Sequence, residues 1–319
     1  MVNIKVILLK YLSLFSGIGG FEYGIQQSNI TMKCVGYAEI DKYARSIYER
    51  HYPNHFNWGD VTRIRTDDLP DFDLLVGGFP CQAFSNAGKK RGFDDTRGTL
   101  FFEIARILKD KRPRYFLLEN VKGLLYNNKR KTFKRILEVL ANLGYNVKWE
   151  IFNSKDFGVP QSRERVFIKG YFREECGEEV LFNRGGYAQN NNKLTNNHSM
   201  NDKHIKIQEN TKRGYKEAYP YDGVIINRSG SRLARGMVQS NSVGTLDTCS
   251  SWGIVMDNYT IRRLTPLECE RLQAFPDNWT QYGSNDELIS DTQRYKCIGN
   301  SVTTTVITHI INTMFEGCV

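Results

Sequence analysis

Several things are missing from this 319-residue sequence. No apolar run reaches the roughly 20 residues needed to span a bilayer. The start "MVNIKVILLKYLSLF" is apolar, but lysines interrupt it and no small-residue cleavage site follows, so it reads as a strand rather than a signal peptide. The seven cysteines (34, 81, 176, 249, 269, 297 and 318) are scattered, odd in number and never in a CxxC pair. That argues against a disulfide framework and against a zinc site. No internal repeat is visible. These absences predict a cytosolic chain with no membrane partner and no metal.

Acidic residues are also short: 35 against 44 lysines and arginines, a net charge of +9. Such a balance suits a polyanionic partner without establishing one. The length allows one large domain or two ordinary ones with a real core.

To about residue 145, short apolar runs alternate with amphipathic stretches. Strands are expected at 10–15, 33–40, 72–78 and 114–120, and helices at 20–28, 41–52, 98–110 and 132–144. Alternation of this kind predicts βαβ units, a parallel sheet and helices on both faces. The strands at 146–153 and 164–172 are too close for a parallel crossover and should pair antiparallel at one end of the sheet. The Asn-rich stretch 183–214 reads as a mobile insertion or a long surface loop. Strand-like pieces follow at 223–229, 242–248 and 253–257. Next comes a helix at 265–275, with Thr265 and Glu268 as a capping box. A turn and an apolar helix close the chain at 298–315.

Three features suggest a pocket for an adenosine-containing cofactor. "LSLFSGIGGFEYG" (12–24) is a strand, a glycine-rich turn and a helix start, though it lacks the full GxGxxG form. Read alone, it is equally a tight turn with no ligand. Glu39 follows about 20 residues later and can accept from ribose hydroxyls. Asp60, in "GDV", can accept from an adenine amino group. These three do not separate a nicotinamide dinucleotide from S-adenosylmethionine.

Two more features do. "GGFPCQ" puts Cys81 at the end of one central strand, and "LLENVKG" puts Glu119 at the same end of the next. Hydride transfer needs neither a thiol nor a carboxylic acid there. Methylation at carbon 5 of cytosine needs both: a thiolate adds at carbon 6, and a carboxyl group at nitrogen 3 stabilises the charge displaced. Pro80 stiffens the turn that aims the sulfur.

On these residues, with "QSRERVF" (161–167), "RRLTPLECERLQAFP" (262–276) and "GNSV" (299–302), the chain resembles the C5-cytosine-specific DNA methyltransferases of bacterial and phage restriction–modification systems. The motifs occur in the family's order over 10–172 and 262–315. The resemblance implies an α/β fold, with a doubly wound, mostly parallel sheet and a second, smaller, β-rich target-recognition domain. Residues 1–178 and 294–319 would form the catalytic domain, and 179–293 the recognition domain and hinge. It implies Cys81 as nucleophile, Glu119 as the acid at nitrogen 3, and Arg163 and Arg165 holding a flipped base. S-adenosyl-L-methionine would be held by Phe15, Gly17, Ile18, Gly19, Gly20, Glu39, Ile40, Asp60, Pro80, Leu100, Asn300 and Ser301. The C-terminal helix would return beside the first.

Double-stranded DNA is the implied partner, met by a monomer, with a cognate restriction endonuclease acting separately. The glycine-punctuated basic segment 82–98 reads as a loop closing over DNA, with Ser85, Lys89, Arg91 and Arg97 as contacts. Arg228, Arg232 and Arg235 are candidates for base reading, since arginine to guanine is the commonest major-groove contact; phosphate contact is the equal alternative. A tRNA cytosine methyltransferase and a catalytically inactive DNA-binding protein are the competing readings. The long segment 173–261 weighs against the first, and the intact Cys81, Glu119 and arginine set against the second.

Overall fold

The computed structural model describes residues 8–80, 100–173, 203–208, 212–226, 237–249 and 251–316. Its frame is a six-stranded sheet. In chain order the strands are β1 (Leu9–Leu14), β2 (Met32–Ala38), β3 (Leu74–Gly78), β4 (Tyr115–Val121), β5 (Tyr145–Asn153) and, after the two-residue β6 (Gln161–Ser162), β7 (Glu164–Phe172). Across the sheet they run β2-β1-β3-β4-β7-β5. The first four are parallel, and β7 is antiparallel to both its neighbours. The expected alternation and the antiparallel pair at one end are both present.

Alternation along the strands sends successive side chains to opposite faces. Leu12, Leu75, Phe116 and Leu118 join α3 (Leu100–Lys111) and α4 (Lys131–Asn142) in one core cluster. Tyr11, Leu74, Val76 and Leu117 join α1 (Gly20–Gln26) and α7 (Thr304–Met314) on the other face. With both faces covered, these strands read as near-continuous apolar runs.

Chain order also sets where a site can form. From β1 the chain passes to β2 on one side and returns to β3 on the other, which opens a crevice at the carboxyl ends of β1 and β3. Register aligns Leu14 with Gly77, and Gly78 with Glu119. Because β7 runs the other way, its beginning lies at this same edge, with Arg165 opposite Val121.

The remaining strands make smaller sheets. β10 (Gly223–Ile225), β11 (Val238–Gln239), β13 (Trp252–Val255) and β14 (Ile261–Arg263) form one, in the order β11-β10-β13-β14. β12 (Val243–Gly244) pairs in parallel with β6 in a two-stranded sheet of its own, which ties this region to the segment just before β7. β8 (Ile205–Gln208) and β9 (Tyr215–Ala218) form a hairpin. β8 corrects the reading of 183–214 as one long loop: Ile205 and Ile207 alternate with polar residues and pack against the cluster of Ala218, Val224, Val238 and Val255.

α5 (Pro266–Leu272) has both halves of the predicted capping box. Between it and α7 lies α6 (Asp291–Asn300), which the sequence reading did not anticipate; its amphipathic signal is weak because Arg294 and Tyr295 are buried alongside its apolar residues. No helix among the described residues is long and apolar enough to cross a membrane.

The last helix does return beside the first. A Cβ on Gly24 would fall 2.5 Å from Ile307 Cβ and 2.8 Å from the Thr304 carbonyl oxygen. The Gly24 carbonyl accepts from the Thr308 hydroxyl at 2.9 Å. Gly24→Ala should therefore destabilise the protein by about 1–3 kcal/mol through overpacking, outweighing the roughly 1 kcal/mol that alanine gains in a helix. A melting temperature equal to or above wild type would show that this contact is not tight.

Candidate active site

The crevice at the carboxyl edge holds a cavity of about 370 Å³. Eight residues singled out from sequence line it: Phe15, Gly17, Glu39, Pro80, Glu119, Arg163, Arg165 and Asn300. They come from five strand ends and, for Asn300, the end of α6; the register described above brings the first five together.

Beyond β1 the chain turns sharply. Phe15 has φ 54°, a left-handed conformation that is costly for an aromatic residue. Gly17 follows at φ 58°, with nothing within 4 Å of where a Cβ would stand. Glu39 ties this turn to the end of β2. Its Oε2 accepts from Gly17 N at 2.9 Å, and its Oε1 from Ile40 N at 2.8 Å and Asp41 N at 2.7 Å. Oε2 has room for a further donor, since a carboxylate oxygen accepts about two.

Glu119 and Arg165 form an ion pair, Oε1 to Nε at 3.0 Å, with both side chains largely buried. A Cβ on Gly78 would stand 3.1 Å from Glu119 Oε2, so this glycine leaves the carboxylate its space. Asn120 is buried; its Nδ2 donates to the Phe79 carbonyl at 2.7 Å, and its Oδ1 accepts from Val121 N at 2.8 Å. It thereby holds the β3 turn just before Pro80. Sequence reasoning quoted Asn120 within a motif but gave it no role.

Arg163 is differently placed from Arg165. It is buried, and its guanidinium donates to the carbonyls of Leu246 at 3.2 Å, Gly299 at 3.1 Å and Ser301 at 2.7 Å. Burial, then the Arg165 cation, push it down to about 9, against the pull of Glu119. It therefore remains charged at neutral pH. Its Nε has no partner among the described residues.

Asp41, Lys296 and Cys297 also line the cavity, and sequence reasoning missed them as site residues. Lys296 Nζ lies 2.6 Å from Asp41 Oδ2. Burial would raise Asp41, but the Lys296 bond and the N–H groups of Ala44 and Tyr43 outweigh it and lower the carboxyl. Burial pushes the Cys297 thiol up to about 12, which keeps it protonated and inert.

Seven predicted cofactor residues do not line the cavity. Ile18 is buried in the core beneath α1, and Gly19 caps that helix in a left-handed conformation. Gly20 packs against Ser301 and Val302, and Ser301 is itself buried. Ile40 is exposed. Asp60 caps a short turn by accepting from Thr62 N, which lowers its carboxyl. Leu100 packs on the core at the start of α3. Cys81, Ser85, Lys89, Arg91, Arg97, Arg228, Arg232 and Arg235 lie outside the described residues.

The model of the C-5 cytosine-specific DNA methylases matches residues 9–316. The type II methyltransferase M1.ScrFI of Lactococcus lactis subsp. cremoris is 40% identical over 327 residues, covering 98% of this chain and 80% of that one. M.SsoII of Shigella sonnei is 38% identical, with 94% and 78% covered. Among solved structures, the S. pombe Dnmt2 methyltransferase superposes with a TM-score of 0.65 at 20% identity, covering 97% of this chain and 99% of that one, a likeness of fold. Since the family model spans almost all of the chain, and relatives match it along almost its whole length, the chain belongs to the C-5 cytosine-specific DNA methylase family.

Proposed function

We propose that this DNA cytosine-5 methyltransferase uses S-adenosyl-L-methionine, acts on a cytosine turned out of duplex DNA through Cys81, and belongs to a restriction–modification system. The observation that carries this reading is one cavity shared by the glycine turn, Pro80 and the Glu119–Arg165 pair. The type II relatives support the last part.

The residues present suit S-adenosylmethionine. Gly17 leaves open space at the turn, Glu39 offers an acceptor at the end of β2, and Asn300 faces the same cavity. When bound, the cofactor supplies an electrophilic methyl group beside the base. Ile18, Gly19, Gly20 and Ser301 act from behind, by fixing the shape of the turn and of the segment it packs against. The 179–293 region is the recognition and hinge unit.

The chain's own groups do the rest. Carbon 6 is attacked from above the ring, and stacking blocks that approach, so the base must leave the helix. The Cys81 sulfur forms a bond to carbon 6, and the electron pair of the 5,6 double bond moves toward carbon 5 and nitrogen 3. Glu119, held by Arg165, meets nitrogen 3 and stabilises the charge arriving there. Once carbon 5 has taken the methyl group, its proton leaves to a base, the double bond re-forms and the thiolate departs. Asn120 positions the Phe79–Pro80 turn, which precedes Cys81 in the chain. The enzyme works as a monomer in the cytoplasm, with its endonuclease a separate protein.

DNA with 5-fluorocytosine at the target should trap the protein covalently when cofactor is present, because fluorine cannot leave as a proton does. The adduct should survive denaturation on a gel and be absent in Cys81→Ala. Equal behaviour of the two proteins would rule out the nucleophile. Bisulfite sequencing of DNA from an expressing host would give the site methylated, and tritiated methyl transfer to DNA against tRNA would test the substrate.

Glu119→Gln should slow single-turnover methyl transfer by about two orders of magnitude or more while DNA affinity changes little. Asn120→Ala leaves the Phe79 carbonyl unpaired, at a cost of about 1–3 kcal/mol. It should lower kcat about tenfold or more with little change in the cofactor KM. An unchanged rate in either variant removes that residue from its role.

Substitutions for DNA contacts should divide. Loss of Lys89 or Arg91 should weaken binding to all duplexes and reduce the salt slope by about one unit each. Loss of a base-reading residue among Arg228, Arg232 and Arg235 should relax choice at one base pair by roughly 1–3 kcal/mol. If only changes in 85–100 alter the methylated site, this division of labour is wrong.

A further inference from the structure

Glu22 stands in the first turn of α1 and is 1% exposed. It faces a second cavity, of about 380 Å³, which it shares with Tyr11, Cys34, His51, Tyr52 and His55. No lining residue is common to this cavity and the cofactor cavity. The methyl-transfer mechanism gives Glu22 nothing to do.

Its carboxylate is only half satisfied. Oε1 accepts from the Tyr48 hydroxyl at 3.1 Å. That hydroxyl has one proton, so with Glu22 ionised, His55 Nδ1, 3.0 Å away, is the N–H that donates to it. Glu22 Oε2 and the Tyr52 hydroxyl have no hydrogen-bond partner among the described residues. An unpaired buried carboxylate oxygen is costly.

The surrounding groups supply no countercharge. No lysine or arginine among the described residues lines the cavity. From β1, burial first and then the charge of Glu22 raise Tyr11 well above its usual range. From β2, burial pushes the Cys34 thiol up to about 12. From α2 (Lys42–His51) and the turn after it, burial raises Tyr48 and Tyr52 and lowers His51 and His55, so all four are neutral at pH 7 to 8. Burial raises Glu22 itself to about 7, against the pull of Ser13, its own N–H and Tyr48. The walls are aromatic: the Tyr52 and His55 rings stack with centroids 5.0 Å apart and planes 9° from parallel. Aromatic faces attract cations and favour flat ones.

We propose that this cavity is a second small-molecule site, which takes a compact planar organic cation of the amidinium or guanidinium class, with Glu22 Oε2 as counter-ion and the Tyr52 hydroxyl as a second polar contact. Two N–H groups on one edge of such a cation can meet a carboxylate oxygen and a hydroxyl together.

The probe is 4-fluorobenzamidine, followed by fluorine NMR on the full chain, with neutral 4-fluorobenzamide as the control. Saturable binding of one molecule per chain is expected, at least tenfold tighter than the amide. Glu22→Gln should weaken it at least tenfold, and Tyr52→Phe several-fold; the second variant serves if the first does not fold. Glu119→Gln should leave it unchanged, which separates this site from the cofactor cavity. Below about pH 7 the cation must displace a proton from Glu22, so affinity should rise with pH up to about 7 and then level off. Absence of saturable binding at millimolar probe, equal binding of amide and amidine, or affinity that ignores pH and both substitutions in the cavity would overturn the proposal.

Discussion

A buried cation needs a solvation shell, and in this protein the shell of Arg163 is built from three carbonyls on two distant stretches of chain. Its guanidinium reaches Leu246 beyond β12, and Gly299 and Ser301 where α6 gives way to α7. Hydrogen bonds to a charged group contribute about 1.5–3 kcal/mol each. Removing water from the cation costs several kcal/mol, so the set roughly balances. What it secures is geometry, because losing any one carbonyl leaves buried charge exposed to nothing. The second β-rich region and the C-terminal segment are thereby pinned to the sheet edge where Glu119 and Arg165 meet.

Amide and hydroxyl groups continue this knot. Gln161 donates to the Leu272 carbonyl at 2.8 Å and accepts from Leu246 N at 3.0 Å. Gln273 donates to the Ile298 carbonyl at 3.1 Å and accepts from Thr303 Oγ1 at 2.6 Å; Thr303 in turn meets Ser154 Oγ at 2.8 Å. Every member is buried. Buried amide and hydroxyl groups paired in this way are rigid and admit few alternative arrangements. It lets α7, which packs on α1 at the far end of the sequence, share a fixed frame with the glycine turn.

How much of this was legible in the sequence depended on how local each signal was. The strands and helices of the sheet announced themselves through apolar runs and periodicity, and the Thr265–Glu268 cap through spacing alone. Glu119 and Pro80 could be placed because one lies near the end of its strand and the other just past the end of the neighbouring strand. Arg163 and Arg165 could be named but not distinguished. They are two residues apart at the start of a strand, yet one faces Glu119 and the other a ring of carbonyls supplied by residues over 80 positions away. Lys296 and Cys297 were missed for the same reason: α6 reaches the cavity only through long-range packing, and its sequence has little amphipathic pattern; Asp41 was read only as the start of α2. Asp60 has a role that the sequence did not signal, since its Oδ1 is taken up by the N–H and hydroxyl of Thr62 in the next turn.

Charge follows the same division. The cofactor cavity has Glu39, Asp41 and Glu119 against Arg163, Arg165 and Lys296, three of each sign. Four of these six are paired within the chain, as Glu119 with Arg165 and Asp41 with Lys296. Among the described residues this cavity therefore takes no share of the chain's excess of +9. That excess is carried by surface lysines and arginines, among them the run at 129–131 and Lys134 and Arg135 on α4. A balanced cavity suits a reaction in which negative charge passes briefly through a cytosine ring, since preorganised partners of both signs need little rearrangement as it moves. An unbalanced exterior suits a polyanion held by its phosphates, whose attraction acts over a Debye length of about 8 Å at physiological salt. Keeping the two apart lets salt modulate grip on the duplex while leaving the buried Glu119–Arg165 pair, screened much less, as it is.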